Sequence, residues 1–355
     1  MTPHVGSKET NTTRVRLHAL DGLRGFAAIV VLMYHCGLPA RINVFKGGYL
    51  AVDLFFVISG CVIAHVYDEK VENMGVKAFI GHRIIRFYPL YAVGLLFGFL
   101  LYTIYTLHGK DVHYTMPDLV VFALVPNMLF LPIFNVGGIF DMGGRFEPYM
   151  DSPAWSLMFE LLINAVYAAT FRHVTNLVLV AFTAASGAVV TYLSLTHGGL
   201  HTTSEAWFMW IGLARVCFSF SLGMLIYRKR HALPRLGRLA PLLPLAVLLS
   251  CMSSPSSVRD SLVVLIVAPL VVVVALDADR VVLPGLSLFL GAISYGLYII
   301  HEPLFLMMTA ISGRFGIDRT LLRTGAAPCV IGLAWFLNRY YDPPARRLLT
   351  RLLSR

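Results

Sequence analysis

Leu20–His35 reads LDGLRGFAAIVVLMYH, an apolar run with charged residues near its start and a histidine at its end. Arg24 and His35 are eleven residues apart. At about 100° per residue they return to nearly the same face of a helix, roughly 16 Å apart along its axis. One helix would then hold a cation near one membrane surface and a titratable base at depth. Ionisable groups inside a bilayer are costly and concentrate where ions, protons or substrates pass. An arginine snorkelling at a helix end and a histidine hydrogen-bonded between helices are the plainer alternative, and the two residues by themselves leave both readings open.

The rest of the chain sets this run in a membrane. Of 355 residues, 57% are hydrophobic and 14% charged, and the mean hydropathy is +0.72. A soluble chain carries about 25% charged residues. Successive apolar runs of roughly 17–25 residues suit spanning helices, and the short alternating strands of a membrane barrel are absent. The formal net charge of +10 does not point to nucleic acid, because the basic residues gather in short loops between apolar runs. The five cysteines, Cys36, Cys61, Cys217, Cys251 and Cys329, show no metal spacing and suggest no disulfide framework. Residues 1–18 read as a polar cytoplasmic tail rather than a cleavable signal. The sequon at Asn11 therefore carries little weight.

Apolar segments fall at about 19–38, 48–66, 86–107, 117–134, 154–171, 175–196, 206–227, 240–253, 260–276, 287–311 and 320–340. The N-terminal tail, the loop from Arg228 to Arg238 and the tail after Arg346 are all basic. Placing all three in the cytoplasm requires an even number of crossings before residue 228 and overall. The weakest segment is 117–134, which is short and holds Asp118, Pro126, Asn127 and Pro132. The expectation is an all-α polytopic membrane helix bundle of about ten full transmembrane helices, with 117–134 as a short re-entrant or half-membrane segment. The transmembrane domain then covers 19–341, and 342–355 forms a basic cytoplasmic tail. The loops 135–152 and 196–205 are placed outside. No internal repeat is visible.

Polar residues inside these runs carry the functional information. Asp53 lies early in GGYLAVDLFFVISG and needs a cation or a hydrogen-bond donor as partner. Ser59 and Gly60 deeper in that run suit close helix packing. Arg83 and Arg86 are three apart before a span, so a helix presents both on one face. Such a pair suits phosphate, although ordinary anchoring at the cytoplasmic surface explains it too. In SPAWSLMFE, Ser156 and Glu160 share a face, Glu160 sits well inside an apolar run, and Trp155 reads by default as an interfacial residue. Ser294, Tyr298 and His301 recur at helical spacing in ISYGLYIIHEP, where Glu302 and Pro303 suggest a local break. NRYYDPPARR, with Asp342 before two prolines, reads as a helix end and a basic amphipathic tail.

In number and order these pieces resemble the acyltransferase-3 family, the integral membrane O-acyltransferases related to O-antigen and exopolysaccharide acetylases. The resemblance runs from Leu20 to about Arg347. It is carried by LDGLRG with Arg24 and His35, VDLFFVISG, the pair Arg83 and Arg86, SPAWSLMFE, SYGLYIIHEP and YYDPPARR. Asp342 departs from the glutamate of the family pattern. The hydrolase-like domain that follows the bundle in some relatives is not expected here.

The resemblance implies an acyl-CoA donor, usually acetyl-CoA, and a hydroxyl acceptor. Arg24, Arg83 and Arg86 would then bind the donor, with its phosphates on the Arg83/Arg86 pair. Its arm would pass Arg24 to bring the thioester to His35. Neutral His35 would act as general base, because an imidazole titrates near working pH. Glu160 or Asp53 would orient it, and Trp155, Ser156, Tyr298 and His301 are candidate substrate contacts. No metal is expected. The implied acceptor is a surface glycan or its lipid-linked sugar precursor, with a small molecule or glycolipid as the alternative. The implied location is a bacterial inner membrane with both termini cytoplasmic. A proton-coupled transporter using Arg24, His35, Asp53, Glu160 and His301 as an ion path is the rival reading. The lack of an inverted repeat counts against it. A non-catalytic scaffold would leave the Arg24–His35 spacing unexplained.

Overall fold

The computed structural model describes residues 6–37, 45–68, 70–108, 114–133, 135, 149–201, 205–252, 254–278, 281 and 283–353, without the side chains of 6–17, 205–208, 311 and 314. Most of the loop 135–152, the centre of the loop 196–205 and the first residues of the N-terminal tail lie outside the described residues. So do the side chains of the Asn11 sequon. All regular structure among the described residues is helical. The expected polytopic all-α fold is the one observed. Eight helices are long and apolar enough to cross a membrane, and Met116–Met128 and Gly237–Cys251 are shorter apolar helices. The expected ten crossings also reckoned the first helix and 240–253. The first, Gly6–His35, is 30 residues long but begins in the polar tail. Most of the second is realised within the short Gly237–Cys251.

The chain forms two compact units. The first comprises Met1–Tyr34, Ile42–Gly75 and Val166–Ser294; the second comprises His35–Arg41, Val76–Ala165 and Tyr295–Arg355. Between apolar helices in lipid the hydrophobic effect offers little, so close backbone approach and hydrogen bonds must hold them together. The first unit is built that way. Helix Ala51–Tyr67 crosses Glu205–Arg228 at two glycines. A Cβ on Gly60 would lie 2.1 Å from the Phe220 carbonyl oxygen, and one on Gly223 would lie 2.1 Å from that of Val57. Gly25 makes a similar approach to Leu290, and Gly291 to Asp21. Helix Asn176–Thr196 is tied to Glu205–Arg228 by Thr183 and Ser221, whose hydroxyls are 2.8 Å apart.

In the second unit, helix Val76–His108 packs its Gly98 against the Met150 backbone. The segment expected to be re-entrant is a helix that stops at Met128 and turns at Leu129–Leu131, with Phe130 at φ +60°. Fully buried Asn127 fixes that turn. Its amide donates to the Leu131 carbonyl, its oxygen accepts from the Met150 N–H, and its own carbonyl accepts from the Tyr91 hydroxyl. Tyr91 in turn stacks on Phe130 at 4.4 Å. Non-helical backbone at membrane depth survives only when enclosed by such partners.

Two expected interruptions are absent. Helix Pro284–Phe315 runs through Glu302 and Pro303 unbroken, and the chain stays helical across Asp342, Pro343 and Pro344 to Leu353. The second case has a visible cause. A proline lacks an N–H, and its ring crowds the carbonyl four residues back. In three places the helix widens to π geometry two residues before a proline: Leu119–Leu124 before Pro126, Val263–Val267 before Pro269, and Leu337–Tyr341 before Pro343. The wider turn accommodates the ring without ending the helix.

Candidate active site

The helix Gly6–His35 ends at its histidine, which lies in the second unit together with Glu302 and Arg323. Glu302, on Pro284–Phe315, brings Oε2 to 2.5 Å from His35 Nδ1. Arg323, on Arg319–Phe336, donates from its terminal nitrogen to the His35 carbonyl at 3.0 Å, and its Nε donates to Thr309 Oγ1. A cation at the last carbonyls of a helix satisfies an orphan acceptor and complements the helix dipole. His35 is thus fixed by its backbone and its ring. Its side chain is 26% exposed and that of Glu302 12%. The imidazole is therefore reachable while its carboxylate is nearly enclosed.

His301 stands beside this pair, its ring centroid 5.0 Å from that of His35 in an edge-to-face arrangement. With Nδ1 assigned as the donor to the Leu297 carbonyl at 3.0 Å, Nε2 becomes an acceptor. That nitrogen is buried and has no hydrogen-bond partner among the described residues. The ligating atoms of His35, His301 and Glu302 lie within 4.8 Å of one another, a donor set that could hold a metal ion.

The other anticipated residues sort themselves by partner. Tyr298 and Ser156 share a hydrogen bond of 2.9 Å, and the Ser156 hydroxyl also donates to the Pro153 carbonyl. Half-buried Trp155 lies edge-on to Phe159 at 6.1 Å. Arg83 is buried, donates to Glu160 at 2.7 Å and lies over the Phe87 ring. Arg86, three residues on, is only partly buried. In the first unit, Arg24 donates from Nε to Ser294 Oγ at 2.9 Å and from a terminal nitrogen to the Gly291 carbonyl. Asp53 accepts from Arg215 through both oxygens and is fully enclosed.

One expectation is corrected. The carboxylate against His35 is Glu302, not Glu160 or Asp53. Buried carboxylates are held by the nearest cation, and Arg83 and Arg215 already occupy those two. Glu302, Arg323 and Arg215 were not picked out from the sequence. Arg215 was findable as a cation inside the run 206–227. Glu302 was visible but read as part of a break because Pro303 follows it.

The family model for the acyltransferase-3 domain, described as an acyltransferase domain, matches residues 17–339. The protein is a multi-pass membrane protein of the acyltransferase class, and the chain belongs to the acyltransferase-3 family. Its relatives include Protein 2 in picA locus of Rhizobium radiobacter, 37% identical over 43% of this chain and 81% of that protein. Peptidoglycan O-acetyltransferase OatA of Listeria monocytogenes is 29% identical over 46% of this chain, and putative peptidoglycan O-acetyltransferase YrhL of Bacillus subtilis is 30% identical over 40%. The matches cover only 25% and 21% of those two longer proteins. No solved structure matches the chain.

Proposed function

We propose that this protein is an O-acetyltransferase that moves an acetyl group from acetyl-CoA to a hydroxyl of a cell-surface polysaccharide or its lipid-linked precursor. The observation that carries the reading is the His35–Glu302 pair, a reachable imidazole backed by a nearly enclosed carboxylate. With Nδ1 held by Glu302, the other ring nitrogen of His35 accepts the proton of the acceptor hydroxyl. The hydroxyl oxygen attacks the thioester carbonyl, and the tetrahedral adduct collapses with loss of the CoA thiolate. That thiolate takes the proton back from the imidazolium. Glu302 stabilises the cationic ring between these steps, as the carboxylate does in other histidine-base sites. The Tyr298 hydroxyl, exchanging its bond to Ser156 for one to the substrate, is the candidate donor for the oxyanion.

The donor has two phosphate-bearing regions, and arginine suits phosphate. Arg83 is committed to Glu160, so the more open Arg86 is the stronger phosphate contact of the pair. The peptidoglycan O-acetyltransferase names of two relatives support acetyl and glycan as donor group and acceptor class. Loop charge supports an inner-membrane orientation with both termini cytoplasmic.

Purified protein incubated with acetyl-labelled CoA thioester and a cell-envelope glycan extract should release CoA and label the glycan. His35→Ala should lose about 10²- to 10⁴-fold of that rate while remaining folded in the membrane. Near-normal transfer by His35→Ala would remove the histidine from the reaction. CoA release without labelled glycan would redirect the search to another acceptor.

A further inference from the structure

Basic side chains in the loop after Arg228 are expected of any cytoplasmic loop, but here they border a built space. A cavity of about 610 Å³ is lined by Arg230, His231, Arg235 and Arg238, with Asp277 and Leu276 closing its far side. The loop does not drift over this space. The Gly237 N–H donates to Asp277 Oδ2 at 2.8 Å, and a Cβ on Gly237 would lie 1.9 Å from the Asp277 carbonyl oxygen. Arg230 is set by its hydrogen bond to the Tyr227 carbonyl and lies over the Tyr227 ring. Arg235 and Arg238 are exposed and form no ion pair among the described residues.

A second cavity, of about 310 Å³, borders the same 3₁₀ segment Gly237–Leu242 from its other end. Its walls include Leu23, Phe26, Pro241, Pro244, Leu286 and Leu290. It is apolar throughout apart from Ser287. Both volumes lie in the range of small-ligand sites, roughly 300–1,000 Å³. Leu239, Leu242, Leu283 and Leu286 are exposed around this segment, so apolar surface lies beside the basic loop, as a headgroup and its acyl chain together require.

We propose that the first unit binds an anionic phospholipid here, its phosphate among Arg235, Arg238 and His231 and an acyl chain in the apolar cavity. Basic pockets on the cytoplasmic side of helical membrane proteins take anionic headgroups, and guanidinium groups match phosphate oxygens two at a time. A soluble anion would use the basic cavity and leave the apolar one unexplained. A neutral lipid would do the reverse.

Native mass spectrometry of the purified full chain, titrated with phosphatidylglycerol or phosphatidylcholine, tests the assignment. Phosphatidylglycerol should be retained at a stoichiometry of about one and phosphatidylcholine should not. Arg235→Gln with Arg238→Gln should weaken retention roughly 25-fold, about five-fold per arginine. Ala240→Phe removes no charge but fills the apolar cavity, and should also release the lipid, with the melting temperature of each variant confirming its fold. Retention of both lipids alike would overturn the proposal. So would release in the arginine variant but not in Ala240→Phe, which would mean diffuse loop charge. Full displacement by inorganic phosphate at low millimolar concentration would assign a phosphate site instead and overturn the lipid.

Discussion

Asp53–Arg215 in the first unit is an ion pair and His35–Glu302 in the second is an imidazole–carboxylate pair, and the two are built to different ends. Asp53 is fully enclosed, both its oxygens accept from Arg215, and Arg215 also donates to the Tyr49 carbonyl. Nothing in that pair is left to offer a ligand. Around His35 the polar groups are under-used. The imidazole is partly open, His301 Nε2 is buried and unpartnered among the described residues, and so are both carboxyl oxygens of Asp151. A buried polar atom without a partner costs about 1–3 kcal/mol, a cost that folding alone does not require. A satisfied cluster holds helices together; an unsatisfied one is what the proposed reaction would use.

The sharpest way to break this contrast is to remove one partner from each pair. Asp53→Ala strands a buried guanidinium and should destabilise the protein by about 3–5 kcal/mol, read as a lower melting temperature and poor yield in detergent. Asp53→Leu combined with Arg215→Met should recover most of that loss, because a well-packed apolar pair replaces the buried charges. Failure of the double variant to recover would mean that Asp53 does more than pair. Glu302→Gln is expected to behave oppositely. The melting temperature should move little, while kcat falls roughly a hundredfold at nearly unchanged KM for the donor, an effect below removal of the base itself. Loss of fold rather than of kcat would class Glu302 with Asp53.

The same contrast explains what could be read from the sequence. Membrane class, helical architecture and the shortness of 117–134 follow from composition and from Pro126 and Asn127, because lipid permits so few backbone solutions. His35 and Asp53 announce themselves as ionisable groups in apolar runs. Their partners do not. Arg215 stands 162 residues from Asp53, and the two come together through the packing of their helices, with Gly60 on Phe220 and Gly223 on Val57. Glu302 was misjudged for a local reason. A proline after it suggests a break in water, whereas in a membrane bundle the helix continues through. The π turns ahead of Pro126, Pro269 and Pro343 show how some such prolines are absorbed.

A smaller effect is expected at Ser156 and Tyr298, which satisfy one another. Tyr298→Phe removes one neutral hydrogen bond, about 1 kcal/mol, and should lower kcat/KM no more than about five-fold if the hydroxyl only supports Ser156. A loss of several hundredfold would place the Tyr298 hydroxyl at the reacting carbonyl, as an oxyanion donor.

Asp151 gives the finest test, because its state depends on pH. It precedes helix Ala154–Thr170, is wholly buried, and lies so close to Gly94 that a Cβ there would stand 2.5 Å from its Oδ2. Burial pushes its carboxyl well above the ordinary carboxylate range, and the charge of Glu302 adds to the effect. The folded protein therefore holds this proton at pH values where the unfolded chain, titrating near 4, has released it. For a group raised on folding, its stabilising contribution is complete below the unfolded value and is lost as pH rises towards the folded one. The melting temperature in detergent should fall as pH is raised from about 4, by a few degrees for this one group. Asp151→Asn keeps the neutral shape and should flatten that slope. An unchanged slope would mean that Asp151 is ionised in the folded protein and held by a cation, which would move it from the unsatisfied cluster to the satisfied one.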